Sequence, residues 1–334
     1  MPAPADPLPR PVPQSCQSLF HTCWDHLQDV HVRALAWLLD APDLLDAHAS
    51  RWEGKIATLA IDGASVRVWL SALDLAPAPL HDFLNLPGIT RLGRYAEKLM
   101  AFYFLWCGTL VAHGLQVRAA RHATIGEFDF LLRDAAGLMH YEFATKFYLF
   151  ESPGGGDPAQ YFIGPNLADT LDAKMDKILN RQLALAKHPA AQAYLPQPVA
   201  GAQALIKGWL FYQSHAFSLV PAGVAAGHCR GFWCSLAEFN ALDADAFLIL
   251  PRLAWLAPAR VPAAQVLGRT AMLRYLETYF LSDSMPVMMA LMQHDGTVAH
   301  EVSRGFIVPD DWRDRAQQRN QRAVLRLDGM GPNI

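Results

Sequence analysis

Residues 125–146 read Ile125-Gly126-Glu127-Phe128-Asp129-Phe130-Leu131-Leu132-Arg133-Asp134-Ala135-Ala136-Gly137-Leu138-Met139-His140-Tyr141-Glu142-Phe143-Ala144-Thr145-Lys146. Two strand-like runs, 124–132 and 138–150, flank a turn signal at 133–137. If the turn is a symmetric two- or four-residue loop, paired positions sum to 271, which sets Asp129 opposite Glu142 and Glu127 opposite Ala144. A three- or five-residue loop shifts that register by one. Strand alternation places Glu127 and Asp129 on one face, with Phe128, Phe130 and Leu132 on the other. On the next strand Glu142, Ala144 and Lys146 share a face, opposite Phe143, Phe147 and Leu149. Directly opposed carboxylates have Cβ atoms about 5 Å apart and repel each other. Either a cation bridges them, or one holds a proton through a raised pKa, or the register differs. An all-oxygen donor pair read with no His or Cys nearby favours Mg²⁺ or Mn²⁺ over zinc. Lys146 beside such an ion could orient or deprotonate a water, or offset charge on a phosphate. Equally, it could simply neutralise Glu142 or Glu127.

Upstream, Leu92, Tyr95, Leu99, Met100, Tyr103, Trp106 and Cys107 form one apolar stripe, predicting a helix from residue 91 to about His113. A strand-like run at 115–121 precedes the quoted hairpin. Downstream, a loop at 151–165 carries Gly154-Gly155-Gly156, and Asn166 is placed to cap a second helix with Leu167, Leu171, Met175, Ile178 and Leu185 buried. Residues 204–212 read as a further strand. Farther out, 19–45 has helical periodicity, and Asp62-Gly63 between 56–61 and 66–70 suggests a hairpin. Pro77, Pro79 and Pro87-Gly88 mark a boundary. Beyond Pro221, a helix at 271–280 and a hairpin about Asp295-Gly296 are expected, followed by a polar tail after Arg313.

The 334 residues are 52% apolar and 18% charged, with 28 Lys+Arg against 31 Asp+Glu, a formal charge of −3. Gripping nucleic acid through bulk basicity is excluded, although a local patch is not. Residues 91–190 hold 11 basic and 10 acidic side chains, so that segment is nearly neutral. Five cysteines without a C-x-x-C pair fit a reducing cytoplasm. The proline-rich residues 1–13 lack the charged and apolar regions of a signal peptide, and the longest apolar run, 99–112, is too short to span a bilayer.

Other constellations are weaker. Lys174, Lys177 and Arg181 fall on one helical stripe, more readily a solvated face paired with Asp172 and Asp176 than a phosphate site. His228-Cys229 with Cys234 has the wrong spacing for a zinc finger. Met285, Met288, Met289 and Met292 read as packing. Gly154–Gly156 lacks the Gly-Lys-Ser/Thr of a P-loop, and no Gly-x-Ser-x-Gly elbow is present.

The segments RLGRYAEKL (91–99), GEFDFL (126–131), YEFATKFYL (141–149), GPNLAD (164–169) and RGFIVPDDW (304–312) resemble a bacterial family of uncharacterised proteins grouped with the PD-(D/E)XK nuclease superfamily. The resemblance implies an α/β, restriction-endonuclease-like core (helix, three strands, helix, strand) over 91–215. Around it stand a proline-rich arm (1–18), a mainly helical N-terminal extension (19–90) and an α+β C-terminal region (216–334) packed on the core. It further implies a Mg²⁺- or Mn²⁺-dependent phosphodiesterase acting on nucleic acid. Asp129 and Glu142 would hold the metal, Lys146 would act on the attacking water, and Glu97 would contribute through the metal's water shell. The superfamily pattern is Glu-x-Lys, whereas here Ala144 takes the usual place and Lys146 lies four residues after Glu142, about 13 Å along the strand. A bulge, a Lys146 reaching back, or Lys174 or Lys177 could complete the site. Otherwise the fold serves as an inactive protein- or nucleic-acid-binding scaffold. DNA versus RNA and the oligomeric state stay open.

Overall fold

The computed structural model describes residues 15–120, 123–152, 161–213 and 220–328. The proline arm up to residue 13, the Gly154–Gly156 loop and the last six residues lie outside the described residues.

Five helices come first: α1 (Cys16–Trp24), α2 (Val30–Asp40), α3 (Gly63–Leu75), α4 (Ala78–Leu84) and α5 (Leu92–Trp106). The single helix predicted over 19–45 is two, because the Asp29 carboxylate caps α2 by accepting from the backbone N–H groups of His31 (2.9 Å) and Val32 (3.0 Å). The hairpin expected about Asp62-Gly63 is instead the start of α3. Asp62 caps it, accepting from Ala64 N at 3.1 Å, and Val66, Leu70 and Leu73 are buried at helical spacing. The next helix stops at Trp106 rather than His113. Gly108 takes φ +69° and the chain turns into a strand at Leu110, so the long apolar run is mostly helix, with a turn and the first residues of a strand at its end.

Three antiparallel strands follow, β1 (Leu110–Ala120), β2 (Ala123–Asp134) and β3 (Gly137–Phe150). The β2–β3 turn is the tight one: Asp134 Oδ1 accepts from Ala136 N (2.7 Å) and Gly137 N (3.2 Å). Every pair from Asp134–Gly137 to Phe130–Tyr141 sums to 271, the register expected for a symmetric loop. After the two-residue strand β4 (Phe162–Ile163) comes α6 (Leu171–Lys177). Thr170, not Asn166, caps it through Ala173 N at 3.2 Å; Asn166 accepts from Ala168 N, inside a turn where Leu167 has φ +60°. A π turn, Ile178–Gln182, extends α6 before β5 (Val199–Tyr212) joins β3 in parallel.

The same sheet continues through β6 (Cys229–Ser235), β7 (Ala246–Ile249), β8 (Arg260–Pro262), β9 (Leu267–Gly268), β10 (Val287–Asp295) and β11 (Val298–Val308), with α7 (Arg269–Phe280) and α8 (Trp312–Asp328) alongside. The path through the sheet is β1-β2-β3-β5-β6-β11-β10-β7-β9. Its centre, β3-β5-β6-β11, is parallel, with antiparallel hairpins on either side. Such a centre needs cover on both faces, and its side chains sort accordingly. Trp209, Phe211, Trp233, Phe306 and Met288 meet α1–α5, while Leu210 and Tyr212 meet α6, and Phe232, Ile307 and Met289 meet α7. Met288 and Met289 are therefore packing, as anticipated. The polar tail forms α8, anchored by buried Trp312, whose Nε1 donates to Pro165 O at 2.8 Å.

One buried cation binds distant segments. Arg304 on β11 pairs with Glu301 (2.6 and 2.8 Å), donates to the backbone carbonyls of Trp255 and Ala257, and lies 4.3 Å from the Trp209 ring centroid. All five cysteines are free thiols, and no helix among the described residues is long and apolar enough to cross a membrane.

Where β5 crosses β3, Gly208 takes φ +152°, and a Cβ there would stand 1.9 Å from the Lys146 carbonyl oxygen. Backbone cannot yield to that approach as a side-chain end could. Gly208→Ala is therefore expected to lower the free energy of unfolding by about 3 kcal/mol or more, read from urea denaturation midpoints.

Candidate active site

Beyond Phe130–Tyr141 the β2–β3 ladder ends, and a side chain takes over. Asp129 Oδ2 accepts the Phe143 backbone N–H at 3.0 Å and sits in hydrogen-bond contact with Glu142. Strict alternation also breaks here. Phe128 turns to His140, with ring centroids 4.7 Å apart, while Phe130 and Leu132 join the core beneath α5.

Glu142 is buried and held at both oxygens. His140 Nε2 lies 2.9 Å from Oε1, and Gln182 Nε2 donates to Oε2 at 2.5 Å. His140 is fully enclosed, and burial pushes its pKa down to about 4, so the neutral ring donates Nε2–H to the carboxylate. Gln182 reaches the site from the π turn after α6, an insertion typical of functional positions. The sequence reading missed both. His140 lay two residues before Glu142 on the same strand face and could have been found; nothing short of the π turn points to Gln182.

Glu97, from the middle of α5, faces the same group. Burial raises its pKa to about 8, reinforced by the charges of Asp129, Glu127 and Glu142, with Arg94 opposing. Burial also raises Asp129 and Glu142, each to about 7. Among the described residues these three do not bring three donor oxygens into one ion's immediate shell. The adjacent pair is Asp129 and Glu142, and Glu97 stands off.

Lys146 lies farther along β3. Burial lowers its pKa to about 8, helped by Lys174 and Lys177 and opposed by Asp169 and Asp129. The stripe is solvated in part as expected: Lys177 and Arg181 are exposed and Lys174 is half-buried, while Lys174 pairs with Asp169 at 3.0 Å and both lysines border the cavity beside Glu142. Asp172 is engaged elsewhere, by Arg51 at 3.0 Å.

Two hollows meet here. A cavity of about 270 Å³ contains Glu97, Asp129, Glu142, Lys146, Lys174 and Lys177. It opens beside a cleft of about 1300 Å³ that shares Glu97, Lys146 and Lys174. Glu127, grouped with Asp129 by alternation, lines the cleft instead, near His113 and Gln116. Six basic side chains, Arg91, Arg94, Lys98, Lys146, Lys174 and Arg252, border the cleft against three acidic ones, Glu97, Glu127 and Asp169. The near-neutral segment thus folds with its cations gathered at one opening.

The chemical capacity follows from the donors. Two adjoining carboxylates, fixed by His140, Gln182 and a backbone N–H, are a hard-oxygen site for a divalent cation. Without a cation, their raised pKa values mean the native state holds protons that the unfolded chain releases. The carboxylates' contribution to the stability of the metal-free protein is therefore expected to fall as pH rises from about 4 to 8, while buried His140 and His228, held down to about 4, act in the opposite sense between about 4 and 6.5. Lys146 adds nothing to that slope, because its lowered pKa changes stability only above about 8. Asp129→Asn with Glu142→Gln should flatten the slope and raise Tm at pH 8 by about 2 °C or more, measured calorimetrically with chelator present.

Residues 33–308 match the model of a domain of unknown function, DUF1853. No curated protein and no solved structure matches the chain. The match spans most of the sheet, both carboxylate strands and the cleft, so the chain belongs to the DUF1853 family.

Proposed function

We propose that this protein is a divalent-metal-dependent phosphodiesterase acting on nucleic acid. The observation that carries the reading is the pair of half-buried Asp129 and buried Glu142 on adjacent strands, in a small cavity beside a cation-lined cleft. The element order adds support. Helix α5, three antiparallel strands, helix α6 and a strand parallel to the third run in the order helix, three strands, helix, strand, which supports the restriction-endonuclease-like reading that the resemblance implies.

Asp129 and Glu142 fit a Mg²⁺ or Mn²⁺ ion by donor type, by adjacency and by the burial that raises both pKa values, to which the charge of Glu142 adds at Asp129 and that of Glu127 at both. Bound there, the ion would supply Lewis-acid charge at the scissile phosphate and acidify a water. The chain's own residues do the rest. His140 and Gln182 fix the plane of the Glu142 carboxylate, and Phe143 N–H fixes Asp129. Lys146, with a pKa near 8, can exchange a proton at neutral pH, as a group acting on the attacking water must. Glu97 holds a proton near neutrality and can receive a water of the metal's shell. The basic rim of the cleft engages phosphates. Its volume exceeds the roughly 300–1,000 Å³ of ordinary small-molecule pockets, which favours a segment of polymer over a mononucleotide.

Mn²⁺ titrated calorimetrically into the wild-type protein should bind, and binding should vanish in Asp129→Asn and in Glu142→Gln, both folded by circular dichroism. The same two variants should lose cleavage of single- and double-stranded DNA and RNA. Lys146→Met should keep Mn²⁺ binding while cleavage falls about 10²-fold or more. Absent Mn²⁺ binding by folded wild-type protein would overturn the reading. The four-residue spacing of Lys146 would then mark the fold as a non-catalytic binding scaffold.

A further inference from the structure

A second set of donors lies at the opposite end of the chain's contacts, where the C-terminus of α1 meets β11. His21 and Asp25 are one turn apart on α1, and His300 projects from β11. Their donor atoms all lie within 4.8 Å of one another. His300 Nε2 is 2.9 Å and His21 Nδ1 4.0 Å from the same oxygen, Asp25 Oδ1. The two imidazoles stand edge to face, 5.0 Å between centroids, so both nitrogens converge on the carboxylate.

The state of His21 is the informative part. Its Nε2 lies 3.0 Å from the Glu301 backbone carbonyl, which can only accept, so Nε2 carries the proton and Nδ1 the lone pair. That Nδ1 is buried and has no hydrogen-bond partner among the described residues. An imidazole held through one nitrogen by a carbonyl, with the other aimed at a carboxylate and a second imidazole, is the arrangement of a metal-ligating histidine.

We propose that His21 Nδ1, Asp25 Oδ1 and His300 Nε2 form a Zn²⁺ site, separate from the paired carboxylates and independent of the phosphodiesterase reading. Two imidazole nitrogens and one carboxylate select a borderline first-row ion, unlike the all-oxygen pair on β2 and β3. Tetrahedral bonds near 2.0–2.1 Å set ligand atoms roughly 3.4 Å apart, so His21 Nδ1 must draw in from 4.0 Å while His300 Nε2 and Asp25 Oδ1 part from 2.9 Å, moves within the reach of side-chain rotation. His300 then carries its proton on Nδ1, giving up the hydrogen bond to Asp25. The Asp25 side chain is 45% exposed, so water takes the fourth position. The ion clamps α1 to β11.

Arg260 is the competitor. Its Nε lies 3.2 Å from Asp25 Oδ1 without making a hydrogen bond, while Nη1 donates to Gln28 Oε1 at 2.8 Å. Its charge opposes a cation at the same oxygen.

The test uses the full chain carrying Asp129→Asn and Glu142→Gln, which removes the other carboxylate site. Zn²⁺ titrated after chelator treatment should bind at one equivalent. His21→Ala and His300→Ala should each weaken binding about tenfold or more, and Arg260→Gln should tighten it. Co²⁺ in place of Zn²⁺ should give the visible absorption of a tetrahedral ion, lost in His21→Ala. No Zn²⁺ binding by the folded background protein, or affinity unchanged in both histidine variants, would overturn the proposal, leaving Arg260 as the partner of Asp25.

Discussion

The register of one tight hairpin governs the rest of the molecule. Asp134 closes a two-residue turn with its own carboxylate, and the pairing it imposes leaves no choice about which residues of β2 and β3 meet. A slip of one residue would send His140 and Glu142 to the opposite face and bring Tyr141 and Phe143 into the site. Because β3 is fourteen residues long, the same strand also sets the parallel ladder to β5 from Leu138 to Leu149. The central sheet is therefore ordered from the turn that places the carboxylates.

That arrangement sets function against stability. Burial acts on Glu97, Asp129 and Glu142 together, with the charge of Glu127 adding to it at each, and all three hold protons more firmly than free carboxylates do. Ordinary sheet positions have no reason to retain such a group. The tension is contained because the fixtures around it, Phe143 N–H, His140 and Gln182, come from segments locked by other packing. The far wall of the cleft has its own fixture. Trp255 supplies one of the carbonyls that Arg304 gathers and Arg252 lies just before it, and Arg304 is itself paired with Glu301 and covered by Trp209. A charge buried so completely is stable only with its partner, so the wall depends on both.

The sequence was most legible where period and chemistry agreed. The stripe on α5, the alternation on β2 and β3 and the residue types at 97, 129, 142 and 146 were all readable, because each depends on near neighbours. It was least legible where one signal serves two structures. Asp62-Gly63 suits a hairpin turn and equally a helix start, and Val66, Leu70 and Leu73 decide for the helix. The helix end at Trp106 was hidden because the following strand is apolar too. Short strands such as Ala246–Ile249 depend on partners remote in sequence. Within the site, Gln182 was invisible for the same reason: its position relies on a π turn and on β3, not on its neighbours.

The place of β11 has a consequence for how the chain comes into being. It lies between β6 and β10 inside the sheet, although it is the last strand in sequence. During synthesis from the N-terminus, β6 must therefore wait with an open edge until residues 298–308 emerge. The hydrogen-bonding groups and aromatic faces of Phe232 and Trp233 stay uncovered through that interval. The sheet closes from the middle, late, and the growing polypeptide is most vulnerable to mispairing while that edge of β6 stands open.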